Sequence, residues 1–147
     1  MNPPAAITAV TGVVIALNEG DRIGRCIASL AQVCVRVVVL DSGSSDDTVA
    51  VARAAGAEIV HQDWLGFAAQ KNAAIAQAQT PWVLLLDADE WFEPDAAAAL
   101  ENFLHSARIA HADAWSLPRC TTFLGRPLRH GGWGREWLPR LFRSGLR

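Results

Sequence analysis

The stretch Trp82-Val83-Leu84-Leu85-Leu86-Asp87-Ala88-Asp89-Glu90 constrains this chain more than any other. Four consecutive apolar residues run into three carboxylates within four positions. An apolar run this short reads as a strand buried on both faces, as in a parallel sheet covered by helices. Its C-terminal end is then the place where open α/β sheets bind ligands. Two aspartates one residue apart repel each other there unless something cationic joins them. A divalent metal carrying phosphate oxygens would do so. The plainer alternative is a solvated turn after a core strand.

The rest of the chain alternates in the same sense. Residues 7–17 are β-branched and apolar and predict a first strand, with Gly12 as a break within it. Asn18-Glu19-Gly20-Asp21 is turn and N-cap chemistry. A helix follows, with Ile23, Cys26, Ile27 and Leu30 at helical spacing. Residues 35–40 form a second buried strand ending at Asp41. The polar turn after it feeds a helix closed by Gly56, with Asp46 and Asp47 at the start, where anions are stabilised. A strand over 57–61, a helix over 67–79 broken by Thr80-Pro81, the central strand, a helix opened by Glu93-Pro94-Asp95 and a fifth strand over 114–117 complete the series. This order predicts an α/β fold: a Rossmann-like, doubly wound, mostly parallel sheet flanked by helices. Trp64, Trp82 and Trp115 are expected in its core. No G-x-G-x-x-G turn follows the first strand and no P-loop is present, which counts against NAD, FAD and P-loop chemistry.

The length of 147 residues suits one fold with a sizeable core. Cys26, Cys34 and Cys120 are scattered and unpaired in pattern, so they suggest neither a disulfide framework nor a zinc site and fit a reducing cytosol. The longest apolar runs are strand-length, so no transmembrane segment is expected. The net charge of −2 hides an asymmetry: residues 1–118 carry 14 acidic and 6 basic side chains, whereas residues 119–147 carry seven arginines and one acid, Glu136. A basic segment of this kind implies an anionic partner or a solvated arm. Nucleic acid is not expected, because the strand ends are acidic and no binding motif is present.

In a parallel sheet the strand ends share one edge. Asn18-Glu19, Asp41 and Asp87/Asp89 would then line one crevice, with Lys71 added if its helix packs nearby. Asp41 suits a hydrogen bond from a base N–H or a ribose hydroxyl. Asp89 suits a hard cation such as Mg²⁺, which prefers oxygen ligands and keeps waters and phosphates in its shell, or Mn²⁺.

Four ordered motifs carry a family resemblance: Val14-Ile15-Ala16-Leu17-Asn18-Glu19, Val38-Val39-Leu40-Asp41-Ser42-Gly43-Ser44-Ser45-Asp46-Asp47-Thr48, Gln70-Lys71-Asn72 and Leu84-Leu85-Leu86-Asp87-Ala88-Asp89-Glu90. With them the chain resembles the N-terminal part of a family 2 glycosyltransferase of the GT-A fold. Phe123-Leu124-Gly125, Arg129-His130-Gly131-Gly132-Trp133 and Arg140-Leu141-Phe142-Arg143 narrow the likeness to bacterial enzymes that add glucose to the lipopolysaccharide inner core. The resemblance implies that Ala16, Asn18 and Glu19 line a nucleotide pocket, that Asp41 meets uracil, and that Lys71 lies near the base and diphosphate. Asp87 would face the ribose and sugar and count among the catalytic residues, and Asp89 would hold Mn²⁺ or Mg²⁺ on the diphosphate of a UDP-sugar. Transfer would be inverting, onto a lipid-linked saccharide at the membrane surface, by a cytoplasmic protein that is peripheral at the inner face.

The division implied is a nucleotide-sugar-binding α/β domain over 1–118 and the start of a basic, Trp-containing acceptor-side segment over 119–147. Relatives of this subgroup read Gly-Gly-Trp-Tyr-Pro-Asp; this chain reads Gly131-Gly132-Trp133-Gly134-Arg135-Glu136. Glu136 keeps the carboxylate and is the candidate base, with a salt bridge to a neighbouring arginine as the competing role. Trp133, Arg129 and Arg140 are weaker acceptor candidates. Such enzymes continue well past this point, so the chain reads as truncated, with an incomplete acceptor subdomain. A non-catalytic UDP-binding fragment is the alternative function.

Overall fold

The computed structural model describes residues 8–128 and 135–146. Four parallel strands form its centre: β1 (Val10–Ala16), β2 (Arg36–Asp41), β3 (Glu58–His61) and β4 (Trp82–Asp87). Helices α1 (Gly20–Leu30), α2 (Thr48–Ala54) and α3 (Phe67–Ile75) connect them in turn. The chain walks outward from β1 through β2 to β3, then returns to place β4 on the other side of β1. That reversal between β1 and β4 is a topological switch point, where a crevice opens beyond the strand ends.

Alternation along each strand sorts the core into two layers. Val10, Val14, Val37, Val39, Trp82, Leu84 and Leu86 face one side with Ile23, Cys26, Ile27 and Leu30 of α1, Ala52 of α2, and Leu100 and Leu104 of α4 (Pro94–Leu104). Val13, Leu40, Val83 and Leu85 face the other side, with Ala74 of α3. Gly12 does not break β1; its pairing to β2 and β4 is continuous. A Cβ there would meet Cys34 Sγ at 3.2 Å and Leu30 Cδ1 at 3.3 Å, so glycine lets the end of α1 lie close against the strand. Helix α3 is shorter than its sequence pattern suggests. Arg36 Nη1 donates to the Gln77 carbonyl at 2.6 Å, and short turns at Gln77 and Ala78 carry the chain toward β4.

The second half departs most from expectation. Strand β5 (Ala114–Arg119) follows a 3₁₀ turn, Ala107–His111, and a two-residue hairpin pairs β6 (Thr122–Phe123) with β7 (Arg126–Pro127). Leu124 and Gly125 at its tip both have positive φ, the backbone a tight hairpin requires. A strand with no counterpart in the sequence reading, β8 (Glu136–Arg143), then inserts between β4 and β5, antiparallel to both. The boundary at 118 and 119 therefore falls inside β5, and β8 of the basic segment is built into the six-stranded sheet, whereas β6 and β7 form a separate exposed hairpin. Leu141 is fully buried against β4. Trp82 is core and Trp115 packs edge-on against Phe103, with ring centroids 4.9 Å apart. Trp64 is a correction: it stands 48% exposed on the loop before α3, where it meets Phe67 edge-to-face.

Candidate functional site

Register brings the expected strand ends together. Ala16 lies beside Asp41, and Ile15 beside Asp87, so both aspartates close neighbouring rungs of one sheet edge. Asp89 follows two residues beyond Asp87 and is exposed.

The β1 and β2 ends are cross-tied through their turns. Asn18, with φ 54°, accepts from the Ser45 backbone N–H at 2.8 Å, and its own N–H donates to Ser44 Oγ at 2.9 Å. Glu19 donates its backbone N–H to Thr48 Oγ1 at 2.8 Å, and its carboxylate pairs with Arg22 at 2.8 Å. Asp46 accepts from the N–H and hydroxyl of Thr48 and from the Gly20 N–H. Those bonds, chiefly the Thr48 hydroxyl, hold its carboxyl below the ordinary range. The Ala16 methyl is buried in the core and its carbonyl accepts from the Ser42 N–H, so little of Ala16 faces a ligand.

Asp41 is nearly buried, and its first job is internal. One oxygen accepts from the Gly43 and Ser44 N–H groups at 2.9 and 3.0 Å, the other from Ser44 Oγ at 2.5 Å. Contact with a base ring would use its remaining lone pairs. Gln70, fully buried, locks the next turn to this one: it donates to Ser42 Oγ and the Gln62 carbonyl and accepts from the Leu65 N–H. That fixes the start of α3 and with it Lys71.

Around β4 the carboxylates divide into paired and free. Lys71 Nζ sits 2.7 Å from Asp87 Oδ1, and Arg140 Nη2 lies 3.1 Å from Oδ2. Burial pushes the Asp87 carboxyl up, but hydrogen bonds and charge from Lys71 and Arg140 outweigh it and leave the group below the usual carboxylate range. Glu90 accepts from the Asp87 N–H at 3.0 Å and from Arg140 at 2.7 Å, and meets Arg119 at 3.5 Å. Arg119 in turn holds Glu136 at 2.5 Å. Among the described residues Asp89 has no hydrogen-bond or ion-pair partner. Beneath the cluster, burial and then the charges of Glu90, Asp87 and Asp89 push the Cys26 thiol up to about 12.

Asp89, Glu90, Trp91, Arg119, Glu136 and Arg140 line an open groove of about 1200 Å³, closed on one side by the β6–β7 hairpin. Trp91 lies under the Arg25 guanidinium, 3.9 Å from ring centroid to Cζ, and donates to Glu93 at 2.9 Å. Arg140, a weaker acceptor candidate from sequence, is paired with Asp87 and Glu90, and Glu136 has the arginine partner that competes with a role as base. Arg129 and Trp133, with His130, lie outside the described residues. Glu90 and Arg119 are the members of the cluster that the sequence reading did not assign. Glu90 adjoins the Asp-x-Asp pair, which was signal enough to notice it, whereas Arg119 carried none beyond its charge.

Among the described residues no group of three or more His, Cys, Asp or Glu is disposed to hold a metal by itself. The donor chemistry of Asp89 nevertheless fits Mg²⁺ or Mn²⁺ on one condition: that water and phosphate supply most of the shell, as they usually do for such ions.

Residues 11–144 match the family model Glycosyl transferase family 2, and the chain belongs to that family. It is 42% identical over 82 residues to the lipopolysaccharide core biosynthesis glycosyltransferase LpsC of Rhizobium meliloti, covering 52% of this chain and 30% of that protein. An uncharacterized glycosyltransferase of Rickettsia conorii is 42% identical over 81 residues, covering 55% and 29%. Among solved structures, glucosyl-3-phosphoglycerate synthase of Mycobacterium tuberculosis, held with Mn²⁺, UDP and glucosyl-3-phosphoglycerate, superposes with a TM-score of 0.50 at 28% identity, covering 54% of this chain and 33% of that one. The matched segments thus span about a third of each relative. The GT-A architecture and membership among transferases stand as the sequence reading had them.

Proposed function

We propose that this chain forms the donor-binding part of an inverting, metal-dependent glycosyltransferase that takes a UDP-sugar. The acceptor is a cell-envelope saccharide, with lipopolysaccharide core first and glucose the sugar to try first. The observation that carries the reading is the meeting of Asp41, Lys71, Asp87 and Asp89 at one sheet edge, with Asp89 unpaired among the described residues beside an open groove. The Rhizobium lipopolysaccharide enzyme supports the acceptor class, and the mycobacterial synthase with UDP and Mn²⁺ supports the donor and the cation.

On this reading the turn built by Asn18, Glu19 and Asp41 receives the uridine, and Asp87, kept ionised, accepts from ribose or sugar hydroxyls. Lys71 stands close enough to Asp87 to exchange that contact for a diphosphate oxygen. A divalent cation on Asp89 would offset charge on the departing diphosphate. Glu136 is the candidate to take the acceptor hydroxyl's proton, provided an acceptor in the groove comes within hydrogen-bond reach and Arg119 gives way. Trp133, Arg129 and Arg140 remain the acceptor-side candidates from sequence. The Arg119–Glu136 pair favours a second reading, in which UDP binds and no sugar is transferred. No helix of the described residues is long and apolar enough to cross a membrane; action from the cytoplasmic face on a lipid-linked acceptor is part of the proposal.

Calorimetry with UDP, GDP and ADP in the presence of Mn²⁺ tests the donor site. UDP is expected to bind and the purine nucleotides to bind more weakly; absence of UDP binding refutes the reading. Turnover of UDP-glucose onto a core oligosaccharide would exclude the second reading.

A further inference from the structure

Arg140 is the residue whose placement the sequence least anticipated. In the β5–β8 pairing Trp115 faces Leu141 while Ser116 faces Pro139, so Arg140 is the extra residue of a β-bulge. Pairing of β8 to β4 also stops at Leu84 and Leu141, one residue short of it. Bulges re-aim side chains, and Pro139 beside it has no N–H to restore the ladder. The guanidinium is thereby turned off the strand's alternation and driven between Asp87 Oδ2, at 3.1 Å, and Glu90 Oε1, at 2.7 Å. Its side chain is only 8% exposed.

We propose that Arg140 is a positioning residue that divides the labour of the Asp-x-Asp pair, by binding Asp87 and Glu90 internally so that Asp89 alone is left to a divalent cation. This deepens the donor-site reading and rests on it. Without Arg140, three carboxylates within four residues would stand at one strand end with Lys71 and Arg119 as their nearest cations. Such a cluster would attract a metal by itself and draw it toward Asp87 and Glu90, away from the place where a diphosphate completes its shell. With Arg140 in place, Asp87 keeps its charge and direction for a hydroxyl. Glu90, fastened to the Asp87 backbone N–H, cannot swing out to compete. Both contacts come from one guanidinium nitrogen, Nη2, and a lysine, one bond shorter than arginine, could bring its ammonium only part of the way to that point.

The test is Mn²⁺ binding followed by electron paramagnetic resonance, with Mn²⁺ as the only added ligand, on the full chain and its Arg140→Met and Arg140→Lys variants. Circular dichroism and thermal melting establish that each is folded. Arg140→Met is expected to bind Mn²⁺ alone roughly tenfold more tightly than the wild type, the order of removing one partly screened positive charge from beside the ion, and to bind UDP in the presence of Mn²⁺ more weakly. Arg140→Lys should fall between the two on both measures. A loss of packing alone would not produce a gain in metal affinity. A folded Arg140→Met with unchanged Mn²⁺ affinity overturns the proposal. If that variant does not fold, Arg140→Lys carries the test, and unchanged values for it overturn the proposal equally. If the wild type fails to bind UDP, the donor-site reading fails, while the Mn²⁺ comparison still decides the role of Arg140.

Discussion

The two halves of this sheet are held together by different means. The first half, β1 to β4, is a close-packed parallel core whose connecting turns are tied by short hydrogen bonds of Asn18, Asp41, Thr48 and Gln70. The second half, β5 to β8, is thinner. Its hairpin exposes Phe123 and Leu124, Trp137 is 62% exposed, and it joins the first half through the β4–β8 pairing, with Leu141 buried there, and through the pairs of Arg119 and Arg140 with Asp87 and Glu90. The difference teaches where a ligand site is prebuilt. The strand-end turns that the proposed function assigns to a nucleotide are already tied by hydrogen bonds, whereas the groove wall is assembled from charged pairs.

The largest effect that would break this comparison is in the core. Leu84→Ala, at a fully buried position on the central strand, should cost about 3 kcal/mol, whereas Trp137→Ala should stay within about 0.5 kcal/mol; urea denaturation of both checks the contrast. Equal losses would mean that the halves are not differently packed. Next come the ties. Asp41→Ala removes three hydrogen bonds from one nearly buried carboxylate and should cost about 2 kcal/mol, whereas Arg119→Ala, on a pair 43% exposed at the arginine, should cost less than about 1 kcal/mol.

How far the sequence reached follows the same division. The β-α alternation was legible because buried strands such as residues 83–86 are short unbroken apolar runs, whereas helices such as α1 carry apolar residues at helical spacing. The shared edge of Asp41 and Asp87 needed nothing more than strand order. Strand β8 was not legible, because Pro139 and the bulge at Arg140 destroy alternation and place two buried residues, Arg140 and Leu141, side by side. Nor could the partner of Asp87 be read: Arg140 lies 53 residues away, and a guanidinium in a basic segment carries no mark of turning inward. Trp64 was misplaced because aromatic bulk suggests a core position, whereas the loop before α3 has no layer over it.

Two smaller effects sharpen the account. Asp87 is held below the ordinary carboxylate range, so its charge adds stability above an unfolded value of about 3.9, and that contribution is lost as pH falls from there through the lower folded value. Asp87→Asn should therefore be less stable than the wild type near neutral pH, with the gap narrowing in acid; melting curves across that range check the sign. Cys26 and Cys34 have thiols pushed up to about 12, chiefly by burial, and Cys120 is exposed on the groove side. Alkylation with iodoacetamide at neutral pH should modify Cys120 and spare the other two until the chain is unfolded.

The central claim is that one sheet edge holds a carboxylate set aside for a cation while its neighbours are already committed. Titration of UDP into wild type and Asp89→Ala, each with and without Mn²⁺, tests it most directly. The account predicts UDP binding by the wild type that strengthens with Mn²⁺, and an Asp89→Ala variant with unchanged melting temperature whose UDP affinity no longer responds to the metal. A variant that keeps the full Mn²⁺ response, or a wild type that shows none, would contradict it.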